Sequence, residues 1–545
     1  EMKCMKQLGK TAVLLASVAM LGSVAVPATT ASAAGKTINW SEIADLPTMD
    51  PSKSTDTVSA DALAATSLPL VQFGKNNKIE FEAAKSYEKS KDGLTYTFHL
   101  RKNLKWANGD KLMAKDFVYG WQRSIDPKTA SEYAYLFDGV KNANAIQAGT
   151  AKVADLGISA TDDYTLKVTL EKAVPYFLQV ITMPVFFPQS QTFVEKQGDK
   201  YGTSAATYLS AGPYKLTGWN GSNQKYAYVK NTNYWDKQDV KTKKINVQII
   251  KDQNTGYNLY QGKKLDFTTL SPDQVKSSKT KKAYTQIKQG ATQMLQLNEA
   301  KVKAFKNLKV RQAISYAIDR KTLANNIVTG AAIPAKSYTP TGLAKDPNTG
   351  KDFAKGAAVK GAISYDKKRA AKLFKAGLKE VGISKLKITL LTDDDDSSKR
   401  VAQFLQQQLE DHLKGLTVTI KSVPKKQRLA LSTAKDFDMV NFGWLADYPD
   451  ASSFLDLYTS DASYNYGSWK NTTFDSVMAD TKDKNANNAK ARYADFKKAE
   501  QTLEKDMGVV PMYYRSTAAL KNTKVKGVIF NPTGAPYNFK YAVKK

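Results

Sequence analysis

The sequence predicts an α/β protein with more than one domain, and three features support this prediction. Short segments with strand and helix patterns alternate along residues 36–545. A chain of 545 residues is too long for one hydrophobic core, so two or three domains are expected. No internal repeat or long linker follows residue 35, which favours domains that pack closely and share chain crossings.

Two strands and two helices stand out from the periodicity of the apolar residues. The segments LTYTFHL (94–100) and YTLKVTL (164–170) alternate with a period of two, which is typical of strands. AKDFVYGWQRSID (114–126) and KVRQAISYAIDRKTLANNIV (309–328) have helical spacing. Strands and helices therefore occur in both halves of the chain.

The N-terminus has the three parts of an export signal. A basic segment, MKCMKQLGK, precedes the apolar TAVLLASVAMLGSVAV (11–26), and ATTASAAGK offers small residues for cleavage after Ala33 or Ala34. We therefore expect residues 1–34 to be a signal peptide and the remainder to be exported, extracellular and associated with the cell surface. The single cysteine, Cys4, precedes the apolar segment, whereas a lipid-anchor cysteine directly follows it, so no lipid anchor is expected.

The chain is strongly basic, with 81 Lys and Arg against 51 Asp and Glu and a formal charge of +30. Loss of Lys3, Lys6, Lys10 and Glu1 with the signal lowers this to +28. Anionic cell-wall polymers are the natural partner of such a charge, and a merely solubilising surface is the alternative. Nucleic acid is not expected, because the basic residues are spread along the chain and no nucleic-acid motif occurs.

Residues that catalytic and metal sites require are scarce. The two histidines, His99 and His412, are far apart, and no cysteine follows residue 34, so no thiol chemistry and no zinc or haem site is expected. Neither G-x-S-x-G nor H-E-x-x-H occurs. The acidic run TDDDDSSKR (392–400) lacks the glycine and glutamate of a calcium loop, and we expect a solvated turn that caps the next helix. The sequence thus predicts a binding protein, with no catalytic residues, metal or cofactor.

Several segments together resemble the large extracytoplasmic solute-binding proteins of peptide ABC importers. They begin AKSYEKSKDGLTYTFHL (84–127), GPYKLTGWNGSNQKYAYV (212–237), VRQAISYAIDRKTLANNIV (310–328) and YYRSTAALKNTKVKGVIF (513–542), and they keep this order along the chain. Within the family, GWLADYPDASSFLDLY (443–458) most resembles the oligopeptide-binding subgroup.

The resemblance implies a two-lobed periplasmic-binding-protein-like fold of the large type II class, with an extra domain and mixed β-sheets flanked by helices. The implied ranges are 36–62, 187–292 and 509–545 for a discontinuous domain I, 63–186 for domain II and 293–508 for domain III. Chain crossings near 294–300 and 509–514 would form the hinge. The implied protein is a monomer that captures short peptides between its lobes and delivers them to a membrane permease. The alternative is a surface adhesin or pheromone receptor on the same fold, retained by charge.

Asp447 is the main candidate for a ligand-binding residue, and the alternative is that it only forms a turn. It lies where the predicted strand containing DFDMVN (436–441) should end. Because peptides share a backbone and a terminal ammonium, a receptor for many of them needs strand pairing and a fixed carboxylate. The resemblance places the family's amine-binding aspartate at Asp447, and the alternative is a turn or helix-cap aspartate. Asp450 is instead expected to be a helix N-cap.

The remaining candidates surround this aspartate or face it across the expected cleft. Gly443 and Leu445 would offer main-chain groups to the peptide, with glycine permitting close approach, and Trp444 would flank a side-chain pocket. Thr55, Asp56 and Thr57 align with the loop that pairs with the peptide from the other lobe. Further pocket candidates, for which a core position is the alternative, are Tyr133, Tyr135, Asn465 and Tyr466.

Overall fold

The computed structural model describes residues 36–328 and 332–545, and the predicted signal peptide at 1–34 lies outside this part. Three larger sheets and three small two-stranded ones occur together with helices, which confirms the α/β class. The α-helices are Thr57–Thr66, Ala114–Ile125, Ala143–Gln147, Phe177–Val180, Gln191–Gln197, Gln253–Gln261, Pro272–Ser278, Leu308–Tyr316, Arg320–Thr322, Phe353–Ala357, Lys367–Val381, Asp396–His412, Lys425–Thr433, Ser452–Leu455, Thr472–Lys482 and Ala489–Asp506.

The first sheet joins the start of the described chain to a segment two hundred residues later. Its four strands in spatial order are Ile38–Glu42, Lys244–Ile249, Lys225–Lys230 and Tyr214–Thr217. The first two run parallel, and the other neighbours are antiparallel. Alternate residues Ile38 and Trp40 are buried, and the Trp40 ring stacks on Phe267 with 4.0 Å between centroids. The same alternation turns Glu42, at the end of the strand, toward the interior.

The second sheet contains both strands that the alternating pattern predicted. Its order is Ala84–Lys89, Thr95–Leu100, Thr165–Thr169 and Ile158–Asp162, and every pair is antiparallel. The predicted helix at 114–126 is present as Ala114–Ile125, with Phe117 and Trp121 buried. Small two-stranded ladders are formed by Val71–Phe73 with Ile79–Phe81, Val525–Lys526 with Val543–Lys544, and Ile529–Phe530 with Tyr537–Asn538.

The third sheet has seven strands and carries the candidate site. Its order is Phe267–Thr269, Val510–Lys521, Tyr284–Leu297, Met439–Leu445, Leu386–Asp393 and Leu416–Val423, with Ile333–Pro334 paired to Val510–Lys521. The two longest strands, of 14 and 12 residues, pair with each other antiparallel. The segments 294–300 and 509–514 overlap these two strands. The crossings, the hinge and the domain boundaries stay a prediction.

The predicted helix at 309–328 is wrong as one continuous helix. The first helix, Leu308–Tyr316, stops at Tyr316. A second helical segment begins with Arg320–Thr322 and continues as the π-helical turn Leu323–Ile327. Asp319 causes the restart, because its carboxylate accepts the backbone N–H of Thr322 at 3.1 Å and so caps the second segment.

The acidic run 392–400 is a helix cap but not a solvated one. Asp395 accepts the Ser398 backbone N–H at 3.0 Å and is only 8% exposed. Asp393 forms an ion pair with Arg428 at 2.8 Å, and Asp394 forms one with Lys251 at 2.8 Å. The solvated part of that prediction is therefore wrong, because basic side chains from distant segments cover the run.

Candidate functional site

A cavity lies between the first sheet, the third sheet and the loops around them. Its walls come from the end of the strand Ile38–Glu42, the loop before helix Thr57–Thr66, helix Lys425–Thr433, strand Met439–Leu445 and the segment 534–537. Segments from all three predicted domains thus enclose one space.

Strand Met439–Leu445 has one edge open to this cavity. It pairs along its whole length with Tyr284–Leu297, from Met439 opposite Leu297 to Leu445 opposite Ala291. On the other edge it pairs with Leu386–Asp393 only at Met439 and Val440. From residue 441 onward, that edge has no strand partner within the described part of the chain.

The main-chain groups of Gly443 and Leu445 point to the open edge. The backbone N–H of Ala446 donates to the Gly290 carbonyl at 2.8 Å, on the paired edge. Since main-chain groups alternate between the two edges of a strand, those of Trp444 point the same way and those of Gly443 and Leu445 point away. These are the two residues for which the sequence predicts backbone pairing with a ligand.

Glycine at 443 has a packing role that the sequence analysis missed. A Cβ there would lie 2.5 Å from Oε1 of Gln293 and 2.7 Å from Nη1 of Arg515. The position thus makes room for two side chains of neighbouring strands. Arg515 also lines the cavity, and no carboxylate lies within 4 Å of it in the described residues.

Asp447 lies just past the end of this strand and is 4% exposed. Its Oδ1 accepts the Tyr133 hydroxyl at 2.9 Å, and its backbone N–H donates to Oγ of Ser453 at 2.7 Å. Its Oδ2 is buried and has no hydrogen-bond partner among the described residues. Burial raises the pKa of this carboxyl to about 8, although the Tyr133 hydrogen bond lowers it. The site is therefore a desolvated carboxyl group with one oxygen available to a hydrogen-bonding cation.

In the described chain, the side chain of Asp447 makes no hydrogen bond of the kind that a turn or helix-cap aspartate makes. Its only side-chain partner in the described chain is Tyr133, which is 314 residues away. The N-cap prediction for Asp450 is wrong by one residue, because Ala451 is the N-cap of the helix Ser452–Leu455. The Asp450 carboxylate accepts the Ser452 backbone N–H at 3.0 Å from the position before the cap. It also forms an ion pair with Arg492 at 2.8 Å, which holds the pKa of Asp450 below its usual range despite burial.

Aromatic rings enclose Asp447 on the side of the strand. Trp444 donates its indole N–H to the Ser453 carbonyl at 2.7 Å and packs against Tyr464 with 4.7 Å between centroids. Tyr133 stands 6.2 Å from the Trp444 ring. These rings exclude water, which is the physical cause of the raised pKa of Asp447.

Eight of the eleven predicted site residues line the cavity: Thr55, Asp56, Thr57, Tyr133, Gly443, Trp444, Leu445 and Asp447. Asp56 also caps the helix Thr57–Thr66, because its Oδ1 accepts the backbone N–H of Val58 at 2.9 Å.

The other three predicted residues do not line this cavity. Tyr135 stacks behind Tyr133 with 6.0 Å between ring centroids. The amide of Asn465 donates to the Thr459 and Trp469 carbonyls, which is a loop-forming role. The Tyr466 hydroxyl donates to Glu132 at 2.7 Å. Hydrogen bonds and packing outside the cavity lining thus occupy these side chains.

Contacts between segments that are distant in the chain join the walls of the cavity. Tyr133 bonds to Asp447, and Lys251 bridges Asp45 at 2.9 Å and Asp394 at 2.8 Å. These contacts join segments that the sequence assigns to different domains. Any movement that separates these segments has to break the contacts.

Across residues 36–328 and 332–545, no group of three or more His, Cys, Asp and Glu side chains is placed to hold a metal ion. Among those same residues, no helix is both long enough and apolar enough to span a bilayer.

The chain is similar to known proteins of one family. Residues 78–466 match the model of the bacterial extracellular solute-binding proteins, family 5. A dipeptide-binding protein of Lactococcus lactis is 38% identical over 543 residues, covering 97% of this chain and 98% of its own. The structure of Listeria monocytogenes OppA bound to peptide superposes with a TM-score of 0.90 at 37% identity, covering 94% of this chain and 99% of that one. The pheromone receptor PrgZ gives a TM-score of 0.89 at 32% identity, covering 94% and 100%.

Proposed function

The chain belongs to the bacterial extracellular solute-binding proteins of family 5, and from this premise we propose that it captures short peptides and delivers them to the permease of an ABC importer. A relative named for dipeptides and a structure holding a peptide support this choice of ligand. The observation that carries the proposal is the free Oδ2 of Asp447, buried at the end of a strand with an open edge.

The peptide lies along the open edge as an added strand. Its main chain pairs with Gly443 and Leu445, and its terminal ammonium donates to Oδ2 of Asp447. Pairing through the backbone gives affinity that depends little on the ligand's sequence, and the ammonium fixes the register. Thr55 and Thr57 face the peptide from the opposite wall.

Closure couples binding to delivery. The ionised carboxylate of Asp447 is disfavoured in the closed cavity without a cation, because burial raises its pKa. An ammonium from the peptide removes this penalty, so the ligand favours the closed form. The permease then distinguishes loaded from empty protein by shape.

Titration calorimetry tests this proposal directly. The ligand-free protein is titrated with tetra-alanine and with its N-acetylated form. The mass of the recovered peptide is then measured by mass spectrometry to detect cleavage. We expect tetra-alanine to bind, the acetylated form to bind far more weakly and both to be recovered intact. Absence of binding contradicts the peptide function, and cleaved products contradict a purely binding role.

A pheromone receptor is the second candidate, because PrgZ matches 94% of this chain. Both candidates bind peptides, so the discriminating measurement is uptake by whole cells. If the protein serves transport, its deletion abolishes growth of an amino-acid auxotroph on peptides, and restoring it restores growth. If the protein is instead a surface adhesin, we expect Asp447→Asn to leave attachment of cells to a surface unchanged.

Retention at the cell surface is proposed to depend on the positive charge. The Debye length shrinks to about 3 Å at 1 M salt, so attraction to anionic wall polymers is screened there. We expect a concentrated salt wash to release the protein as a monomer. Release by detergent alone contradicts retention by charge.

A further inference from the structure

Five of the ten charged side chains that line the cavity have a partner of opposite charge within 4 Å: Asp56, Lys251, Asp393, Lys425 and Arg428. Arg428 pairs with Asp393 at 2.8 Å, and Lys425 lies 3.8 Å from Asp56. Glu42 and Asp61 also line the cavity. Within the described ranges, neither of these two carboxylates has a cation within 4 Å. Lys425 acts on both carboxylates from beyond 4 Å, and Arg515 lines the same cavity. Among the described residues, Glu42 and Asp61 thus share the space of Asp447 without a direct ion pair.

Glu42 reaches the cavity because of its place on the first sheet. Ile38 and Trp40 are buried on the inner face of the strand Ile38–Glu42, and Glu42 continues that face where the strand ends. It is 8% exposed. Its carboxylate makes no hydrogen bond to any described residue of the protein. A buried carboxylate that faces a cavity without a partner points to a ligand.

Asp61 faces the same region from the helix Thr57–Thr66. It is 2% exposed, and one carboxylate oxygen accepts the backbone N–H of Tyr537 at 2.8 Å. Two nearby polar atoms are also buried without a partner in the described chain, Oδ2 of Asp56 and the hydroxyl of Tyr226. These polar groups without a hydrogen-bond partner come from three separate elements, so the geometry of one local turn does not explain why they lack partners.

Electrostatics agrees with this geometry. Burial raises the pKa of Glu42 to about 8, with Lys425 opposing the shift and Asp56 adding to it. Burial also raises the pKa of Asp61 well above its usual range, and repulsion from Glu42 adds to this effect. Without a ligand, the pair is therefore disfavoured in its fully ionised form.

We propose that Glu42 and Asp61 form a subsite that binds the cationic side chain of a lysine or arginine in the captured peptide. This inference rests on the proposed function. A cationic side chain reaches the pair along the cavity that the peptide already occupies. A metal ion is a poorer occupant, since no group of three or more ligating side chains exists among the described residues.

The position of the basic residue follows from the segment 534–537. The Gly534 backbone N–H donates to the Ala446 carbonyl, beside Asp447, and the Tyr537 N–H donates to Asp61. Three extended residues span at most about 10 Å. A peptide strand advances about 3.4 Å per residue, so the subsite faces one of the first three residues of a peptide whose ammonium lies at Asp447.

The test compares lysine with norleucine, which has the same aliphatic stem and no charge. Tetra-alanine peptides carrying lysine or norleucine at position 1, 2 or 3 are titrated into the wild type, Glu42→Gln and Asp61→Asn. We expect lysine to bind about ten-fold or more tightly than norleucine at one position, as charge-assisted hydrogen bonds do. In both variants this ratio falls to about three-fold or less.

Glu88→Gln is the matched control, because it removes one carboxylate whose side chain is 77% exposed on the second sheet. It should leave the lysine-to-norleucine ratio unchanged, whereas a general charge effect lowers the ratio in this variant too. No lysine preference in the wild type overturns the subsite even though the norleucine peptides bind, and so does a preference that survives in Glu42→Gln and Asp61→Asn. If no peptide binds, the proposed function and the subsite fail together.

Proton release gives a second readout that needs no variant. Lysine should release more protons than norleucine on binding at pH 7, measured in two buffers of different ionisation enthalpy, because the cation favours ionised Glu42. Equal release overturns the subsite. The titratable and charged groups around Glu42 are Lys425, Asp56, Asp61, Tyr226, Tyr228, Tyr537 and Arg515.

Discussion

Asp447→Asn keeps the shape of the buried side chain and removes its charge. The substituted amide can still accept the Tyr133 hydroxyl, which lies 2.9 Å from Oδ1 in the wild type. It no longer offers a carboxylate to a peptide ammonium. The variant therefore isolates the charge from the packing around Trp444 and Tyr464.

The size of the effect follows from the burial of this carboxyl group. A pKa raised from 3.8 to about 8 corresponds to about 6 kcal/mol against the ionised form in the closed, ligand-free cavity, at 1.36 kcal/mol per unit. Opening of the cleft admits water and avoids part of this penalty. We therefore expect the 2–5 kcal/mol typical of truncating one partner of a buried charge pair, or roughly 30-fold to several-thousand-fold weaker binding.

Calorimetry on four combinations measures this prediction: wild type and Asp447→Asn, each with free and N-acetylated tetra-alanine. The free peptide should lose most of its affinity in the variant, and the acetylated peptide should lose little more. The midpoint of thermal unfolding without ligand should not fall, because asparagine carries no charge to desolvate. Equal binding of free and acetylated peptide by the wild type refutes the role of Asp447 as the amine anchor.

Three further predictions follow from the same cavity. Tyr133→Phe removes the hydrogen bond that lowers the pKa of Asp447. Peptide affinity measured by calorimetry should therefore fall about ten-fold while the fold is kept, and unchanged affinity contradicts this prediction. Gly443→Ala pushes the ends of Gln293 and Arg515 into the cavity, and we expect weaker peptide binding with a loss of less than about 1 kcal/mol in unfolding free energy, because both side chains are flexible. Glu42 has a folded pKa of about 8 against a usual value of 4.5, so its stabilising contribution is complete below pH 4.5 and is lost as the pH rises to 8. Calorimetric unfolding of the ligand-free protein should show this decline from pH 5 to 8, and Glu42→Gln should reduce it.

The sequence by itself determined the class of fold and singled out Asp447 as the candidate site residue. Strands 94–100 and 164–170 and helix 114–126 were predictable because their apolar periodicity is local and complete. Asp447 could be singled out for a similar reason, since strand, aromatic residues and aspartate are contiguous in GWLADY. The family resemblance also extends along contiguous segments, and the family match at 78–466 confirms it.

Only the tertiary structure decided which charges are paired. Asp447 and Tyr133 are 314 residues apart, and no local pattern predicts that their side chains meet. The acidic run at 392–400 looked solvated because Lys251 and Arg428, which cover it, come from distant segments. Glu42 and Asp61 show the opposite outcome, in which folding buries two ordinary carboxylates without a cation. Pairing depends on long-range packing, and a lone acidic residue carries no sign in the sequence of which neighbours the fold will bring.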